Sequence, residues 1–220
     1  MVRYNEAEGK AYEVLLKYSD GTLPINPFQI VSKVKNIKLK TYREFARELQ
    51  KKAPELSTDE IIATFESEHG FLMKKGNKKY ILCYNDLQPI LTVRWTLFHE
   101  LGHYFLSHLK ESTSSSSFAC EGELIYSKKE KEANCFARHC SCPLPLFSYA
   151  TALINCEVNN IFLFRSLFWV SHSSSCYTLD HFFKFRKYYP MNKEERLIKH
   201  FGAAIYDKTR TIQHLHGVGY

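Results

Sequence analysis

The chain has 220 residues, 45% hydrophobic and 24% charged, with 16 Phe and 14 Tyr. That composition excludes a disordered chain and fits one ordinary globular domain, or one with a small appendage. The formal net charge of +7 would suit an acidic partner or nucleic acid, but a solvated Lys-rich surface is the plainer reading.

In chain order, the pattern predicts a helix over about Ala7–Tyr18, a turn at Ser19-Asp20-Gly21, and an extended Leu23-Pro24-Ile25-Asn26-Pro27 leading into a helix near Phe28–Lys35. Ile37 to Thr41 alternates apolar and Lys residues, as a short strand does. Helical patterns follow over Tyr42–Lys52 and Thr58–Glu68, broken at Ala53-Pro54. Phe71 to Tyr84 reads as a β-hairpin turning at Gly76-Asn77, with Tyr80-Ile81-Leu82-Cys83-Tyr84 strongly strand-forming. After Gln88-Pro89 a helix runs to about His108, and Glu111–Phe118, with Ser114–Ser117, reads as a loop. A helix over Ser127–Ser141 stops at Cys142-Pro143, and helices alternate with short breaks to Tyr189. Residues 1–189 form the main domain. Pro190 opens an appendage over residues 190–220, with a helix at Asn192–Thr209 and a loose end. The order is helices, a small sheet, then helices, which defines an α+β class.

The opening Met1-Val2-Arg3-Tyr4-Asn5-Glu6 lacks the apolar core of a signal peptide. Ile161–Val170, the most lipid-like stretch, is short and broken by Arg165, so no membrane span is expected. Seven scattered Cys read as reduced thiols, and the expected compartment is the cytoplasm.

The chemistry concentrates in His99-Glu100-Leu101-Gly102-His103. Two His four apart on a helix share one face, so two neutral ring nitrogens can reach one Zn²⁺. Glu100, next to the first His, can act on water as a general base without being a ligand. With 10 His in 220 residues, a chance match anywhere is expected only about 0.04 times, so two surface imidazoles without a role is the weaker reading. Zinc of this class takes a third protein ligand. Glu130 and Glu132 flank the apolar stripe Ala133, Phe136, Ala137 and Cys140 on opposite sides, and periodicity does not choose between them.

Arg94-Trp95-Thr96-Leu97-Phe98 before the His-Glu motif, and Glu132-Ala133-Asn134 with Phe136-Ala137 closing at Pro143, resemble the ImmA/IrrE-type metallopeptidases. Leu23–Pro27, Glu68-His69-Gly70-Phe71 and Phe168-Trp169-Val170-Ser171 fit as well, so the likeness spans about residues 10–187. The chain departs from the family's Leu/Met run before the proline, with His139-Cys140-Ser141-Cys142 in its place. The resemblance implies a zincin-like fold, Zn²⁺ held by His99, His103 and the Glu of the Glu-Ala-Asn motif, Glu132, and Glu100 as the catalytic base. It also implies cleavage of a helix-turn-helix repressor, derepressing genes.

Other features take plainer readings. Cys135, His139, Cys140 and Cys142 lack the spacing of a structural zinc site and read as core residues. His108, five after His103, should point away from the pair. His172 and His181 are candidates for oxyanion stabilisation, while His214 and His216 read as solvated. The helices at Tyr42–Lys52 and Thr58–Glu68 suggest a DNA-binding helix-turn-helix, but the seven acidic residues of the unit, Glu55 between the helices included, oppose phosphate contacts. A non-enzymatic zincin that only binds a regulator would have no need of Glu100. Substrate is expected to lie along the hairpin Phe71–Tyr84, on the edge of its second strand.

Overall fold

The computed structural model describes residues 1–76, 78–109, 121–157, 160–185 and 194–215. Asn77, the serine run, Pro190 and His216 lie outside the described residues. The chain divides into two compact units, Met1–Lys10 with Pro27–Ala137, and Ala11–Asn26 with Arg138–Tyr220. No helix among the described residues is long and apolar enough to cross a membrane.

The first unit is built on strands β1 (Ile37–Thr41), β2 (Gly70–Lys74) and β3 (Tyr80–Tyr84). Their order is β1-β3-β2, with β3 parallel to β1 and antiparallel to β2. This corrects the expectation of an open edge on the second hairpin strand: β3 is central, and β1 and β2 are the two edges. The apolar run of β3 follows from that position, because a central strand is covered on both faces. Ile81 and Cys83 join Tyr42 and Phe45 in one cluster, with Phe65, Phe71 and Met73 packed against it. That side of the sheet is covered by helices α3 (Tyr42–Gln50) and α4 (Thr58–Ala63), each opened by a capping box, at Thr41 with Glu44 and at Ser57 with Glu60. Helix α4 ends five residues earlier than its pattern predicts, since Phe65 turns in to pack on Tyr42, Phe45 and Phe71.

Alternation sends Tyr80, Leu82 and Leu72 to the opposite side, towards helix α5 (Ile90–Phe105), which packs on β2 and β3. Gly70 permits this approach: a Cβ there would sit 2.5 Å from the Thr96 Cγ2 and 2.8 Å from the Cys83 carbonyl oxygen. Helices α1 (Tyr4–Tyr18) and α2 (Pro27–Lys33) lie within a few residues of their expected places, and α6 (Glu121–Ser141) begins earlier than predicted.

The second unit is helical. It contains α7 (Leu144–Leu153), α8 (Ile161–Phe168), α9 (His172–Phe185) and α10 (Glu195–Leu215). Helix α10, expected to form an appendage, packs on α7 and α8 and fully buries Leu197, Phe201 and Ile205 at four-residue spacing. Phe168-Trp169-Val170-Ser171 is the junction of α8 and α9, with Trp169 in the left-handed conformation at φ 52°.

Candidate metal centre

Helix α5 buries Val93, Leu97, Phe98 and Leu101 and leaves His99, Glu100 and His103 half-buried on another face. Helix α6 comes close at Gly102, where a Cβ would lie 3.0 Å from the Ala133 Cα. Only a residue without a side chain accommodates that distance comfortably, and the close approach lets a Glu on α6 reach the imidazoles.

The residue that does so is Glu130. Its Oε2 lies 3.1 Å from the His99 Nε2 and its Oε1 3.2 Å from the His103 Nε2, while the two Nε2 atoms are 3.0 Å apart. A tetrahedral zinc with bonds of roughly 2.0–2.1 Å separates its ligand atoms by about 3.3 Å, and the separations here, each imidazole to its own carboxylate oxygen, fall a few tenths of an ångström short of that. Among the described residues this is the one group of His, Cys, Asp and Glu able to hold a metal. The His99 Nδ1 lies 3.0 Å from the Asn134 Oδ1. The amide oxygen can only accept there, which puts the proton on Nδ1 and leaves Nε2 free for a metal.

Glu132, expected from the Glu-Ala-Asn motif, makes other contacts. Its Oε1 accepts from the Arg3 backbone N–H at 2.8 Å, and its Oε2 accepts from the Arg3 guanidinium at 2.8 Å and lies 3.2 Å from the His108 Nε2. The motif holds its place, but the carboxylate facing the imidazoles lies two residues earlier, one helical turn before Asn134. Glu130 and Asn134 are four apart and share a face, a spacing that the sequence offers.

His108 also departs from expectation, being buried at 3% exposure with its Nδ1 3.0 Å from the His103 Nδ1. Helix α5 ends at Phe105, so helical spacing no longer applies at His108. Ser107 takes φ 62°, its N–H donates to the Tyr104 carbonyl, and the His108 N–H donates to the His103 carbonyl. This Schellman closure folds His108 back onto the helix it has just left.

The electrostatics favour a cation. Burial alone would raise the Glu130 carboxyl, but hydrogen bonds from His103 and His99 in their protonated, metal-free forms outweigh it and hold Glu130 well below the usual carboxylate range. Burial works to lower His99, yet the bond to Glu130 and the charge of Glu100 raise it overall. Burial pushes Glu100 up, against the lowering effects of His103, His99 and a hydrogen bond from the Leu72 backbone N–H. Burial and the charge of His103 lower His108.

Among the other expected residues, Cys135, His139, Cys140 and Cys142 are buried without forming a metal group. His139 Nδ1 lies 3.0 Å from the Tyr12 hydroxyl, and the Cys140 thiol points to the Ala11 carbonyl at 3.7 Å. His172 and His181 belong to the second unit, where the His172 Nε2 is 3.5 Å from the Cys176 Sγ.

A helix under a small sheet, carrying two imidazoles and a carboxylate and answered by a glutamate from the next helix, belongs to the zincin-like class of metallopeptidase domains. Within that class the profile of the IrrE N-terminal-like domain, peptidase family M78, matches residues 61–180, and the chain belongs to this family. No curated protein matches the chain significantly.

Proposed function

We propose that the protein is a zinc-dependent endopeptidase in which His99, His103 and Glu130 hold the metal and Glu100 is the general base. The observation that carries this reading is the convergence of both Nε2 atoms and the Glu130 carboxylate within 3.0–3.2 Å, with Glu100 beside them on the same helix. Zinc, when bound, would polarise a peptide carbonyl and allow water to attack near neutral pH. Asn134 orients His99. Glu100 takes a proton from the attacking water on its carboxylate and can return it to the leaving amine. The burial that raises its pKa suits a group working in both directions.

Substrate is read along the outer edge of β2. Backbone donors of His69, Phe71, Met73 and Lys75 alternate with those of Gly70, Leu72 and Lys74, and only one set faces β3. The Lys75 N–H donates to the Lys79 carbonyl within the hairpin, while the Leu72 N–H reaches Glu100. The even-numbered donors therefore point outward, alongside the base. An extended peptide would pair with such an edge and be straightened for attack. Exposed Lys74, Lys75, Lys78 and Lys79 at the hairpin tip would draw an acidic segment of the substrate.

The substrate class implied by the family resemblance is a helix-turn-helix repressor, met in the cytoplasm. The thiols of Cys83, Cys135, Cys140, Cys142, Cys156 and Cys176 are free, which suits that compartment. The test is to incubate the zinc-loaded protein with a candidate helix-turn-helix repressor. Cleavage that stops with a chelator and returns with zinc supports the reading. Stoichiometric binding of the repressor without cleavage would make the protein a non-enzymatic binder instead.

A further inference from the structure

Each candidate imidazole ligand has a second nitrogen, and the two are held differently. His99 is held by an amide oxygen, whose role as acceptor is fixed. His103 is held by another imidazole, which can be donor or acceptor according to its tautomer. A chain runs on from there: His103 Nδ1 to His108 Nδ1 at 3.0 Å, His108 Nε2 to Glu132 Oε2 at 3.2 Å, and Glu132 to the Arg3 guanidinium at 2.8 Å and the Arg3 backbone N–H at 2.8 Å.

Hydrogen-bond bookkeeping determines every proton along it. An ionised carboxylate only accepts, and the Arg3 guanidinium only donates. The His108 Nε2 must therefore carry its proton towards Glu132. A neutral imidazole has one N–H, so the His108 Nδ1 is bare and accepts. The facing His103 Nδ1 must then carry its proton, and the His103 Nε2 keeps its lone pair towards Glu130 and the metal locus. His108 and Glu132 are each only 3% exposed, so water does not readily replace either partner.

We infer that Arg3, Glu132 and His108 are positioning residues that set the tautomer of His103 and so prepare it to bind zinc through Nε2. The inference rests on the ligand assignment proposed above, and it gives the Glu of the Glu-Ala-Asn motif a role two hydrogen bonds removed from the metal. It also brings the amino-terminal Arg3 into the workings of the centre.

The test is zinc affinity, measured by competition with a chromophoric chelator for folded variants matched by circular dichroism. Glu132→Ala should weaken zinc binding roughly 10- to 100-fold, the range typical of lost outer partners, whereas Glu130→Ala removes a ligand and loses far more. His108→Leu fills the space but offers no acceptor, and should weaken binding in the same range. His108→Asn places an amide oxygen near the position of Nδ1 and should restore most of the affinity, because an amide needs no tautomer to be set. In the zinc-loaded wild type, proton–nitrogen correlation spectra should find the His108 proton on Nε2.

Equal affinities in His108→Leu, His108→Asn and wild type would overturn the inference. So would equal losses in both variants, which would assign His108 a packing role. If Glu132→Ala does not fold, the two His108 variants still decide. Undiminished zinc binding in Glu130→Ala would instead overturn the ligand assignment, a failure distinct from the first.

Discussion

Glu100 is set apart from the other carboxylates near the imidazoles by what holds it. Glu130 is bound by two His, whereas Glu100 accepts a backbone N–H from β2. Glu100→Gln should therefore bind zinc normally and lose cleavage by at least about 100-fold, the lower range for general-base loss. Metal analysis beside a cleavage assay decides, and near wild-type cleavage would remove Glu100 from the role. The same charges govern the pH dependence of metal binding. His99 is raised above the ordinary imidazole value in the metal-free protein because Glu130 and Glu100 outweigh its burial. Below that raised value His99 is protonated, and zinc must displace the proton. Zinc affinity should thus begin to fall at a higher pH than an unperturbed His would dictate, and Glu100→Gln, lacking one of the raising charges, should move the onset lower. Competition titrations over about pH 5 to 8, where imidazoles change charge, would show this; an onset unmoved by the substitution would contradict the coupling. At this scale the sequence disclosed much but not all. That His99 and His103 share one face of α5 was legible because helical spacing is rigid within one helix. Which of Glu130 and Glu132 faces them was not, because that depends on how α6 is rotated against α5, where Gly102 meets Ala133 and Phe136.

Spacing arguments at the level of elements held inside each element and failed across its ends. Strand β1 and the start of α3 fall where alternation and the capping residues put them. His108 was misread because a Schellman turn at Ser107 interrupts the helical period. Strand β3 was read as an open edge because adjacent hairpin strands advertise their own pairing; nothing local shows that the distant Ile37–Thr41 takes the other side in parallel. The hairpin edge open to substrate is therefore that of β2. Lys74→Pro removes an outward-facing donor and spares the ladder to β3, a position at which an edge strand tolerates proline. Met73→Pro removes a donor of the inward-facing set and should destabilise the sheet. The expected outcome is a folded, zinc-binding Lys74→Pro variant with sharply reduced cleavage, read beside a Met73→Pro variant with a lowered melting temperature. A folded Lys74→Pro that cleaves at the wild-type rate would sink the edge reading.

At the scale of the whole molecule, the residues argued to hold, orient or use the metal all fall within one compact unit. Arg3, His99, Glu100, His103, His108, Glu130, Glu132 and Asn134 lie in Met1–Lys10 and Pro27–Ala137. Four of these, Arg3, Glu130, Glu132 and Asn134, are separated from the His-Glu motif by more than two dozen residues, so the unit is assembled by the fold and not by proximity along the chain. The second unit has a core of its own. Phe147 and Phe164 meet edge to face at 4.9 Å, Phe164 and Phe168 at 5.0 Å, and α10 contributes Leu197, Phe201 and Ile205 without exposure. The helical moment of α10 was visible in the sequence, but its partners were not, because an amphipathic helix does not name the surface it covers. Stability and metal binding should therefore separate. Phe201→Ala removes a fully buried ring and leaves a cavity, at a cost of about 3–5 kcal/mol, and denaturant unfolding should register it. Zinc affinity under native conditions should stay within about two-fold, since the residues argued to hold the metal all belong to the other unit. A large loss of zinc affinity in a variant still folded by circular dichroism would show that the centre depends on the second unit's packing, and that the compact unit containing its residues is not sufficient to hold it.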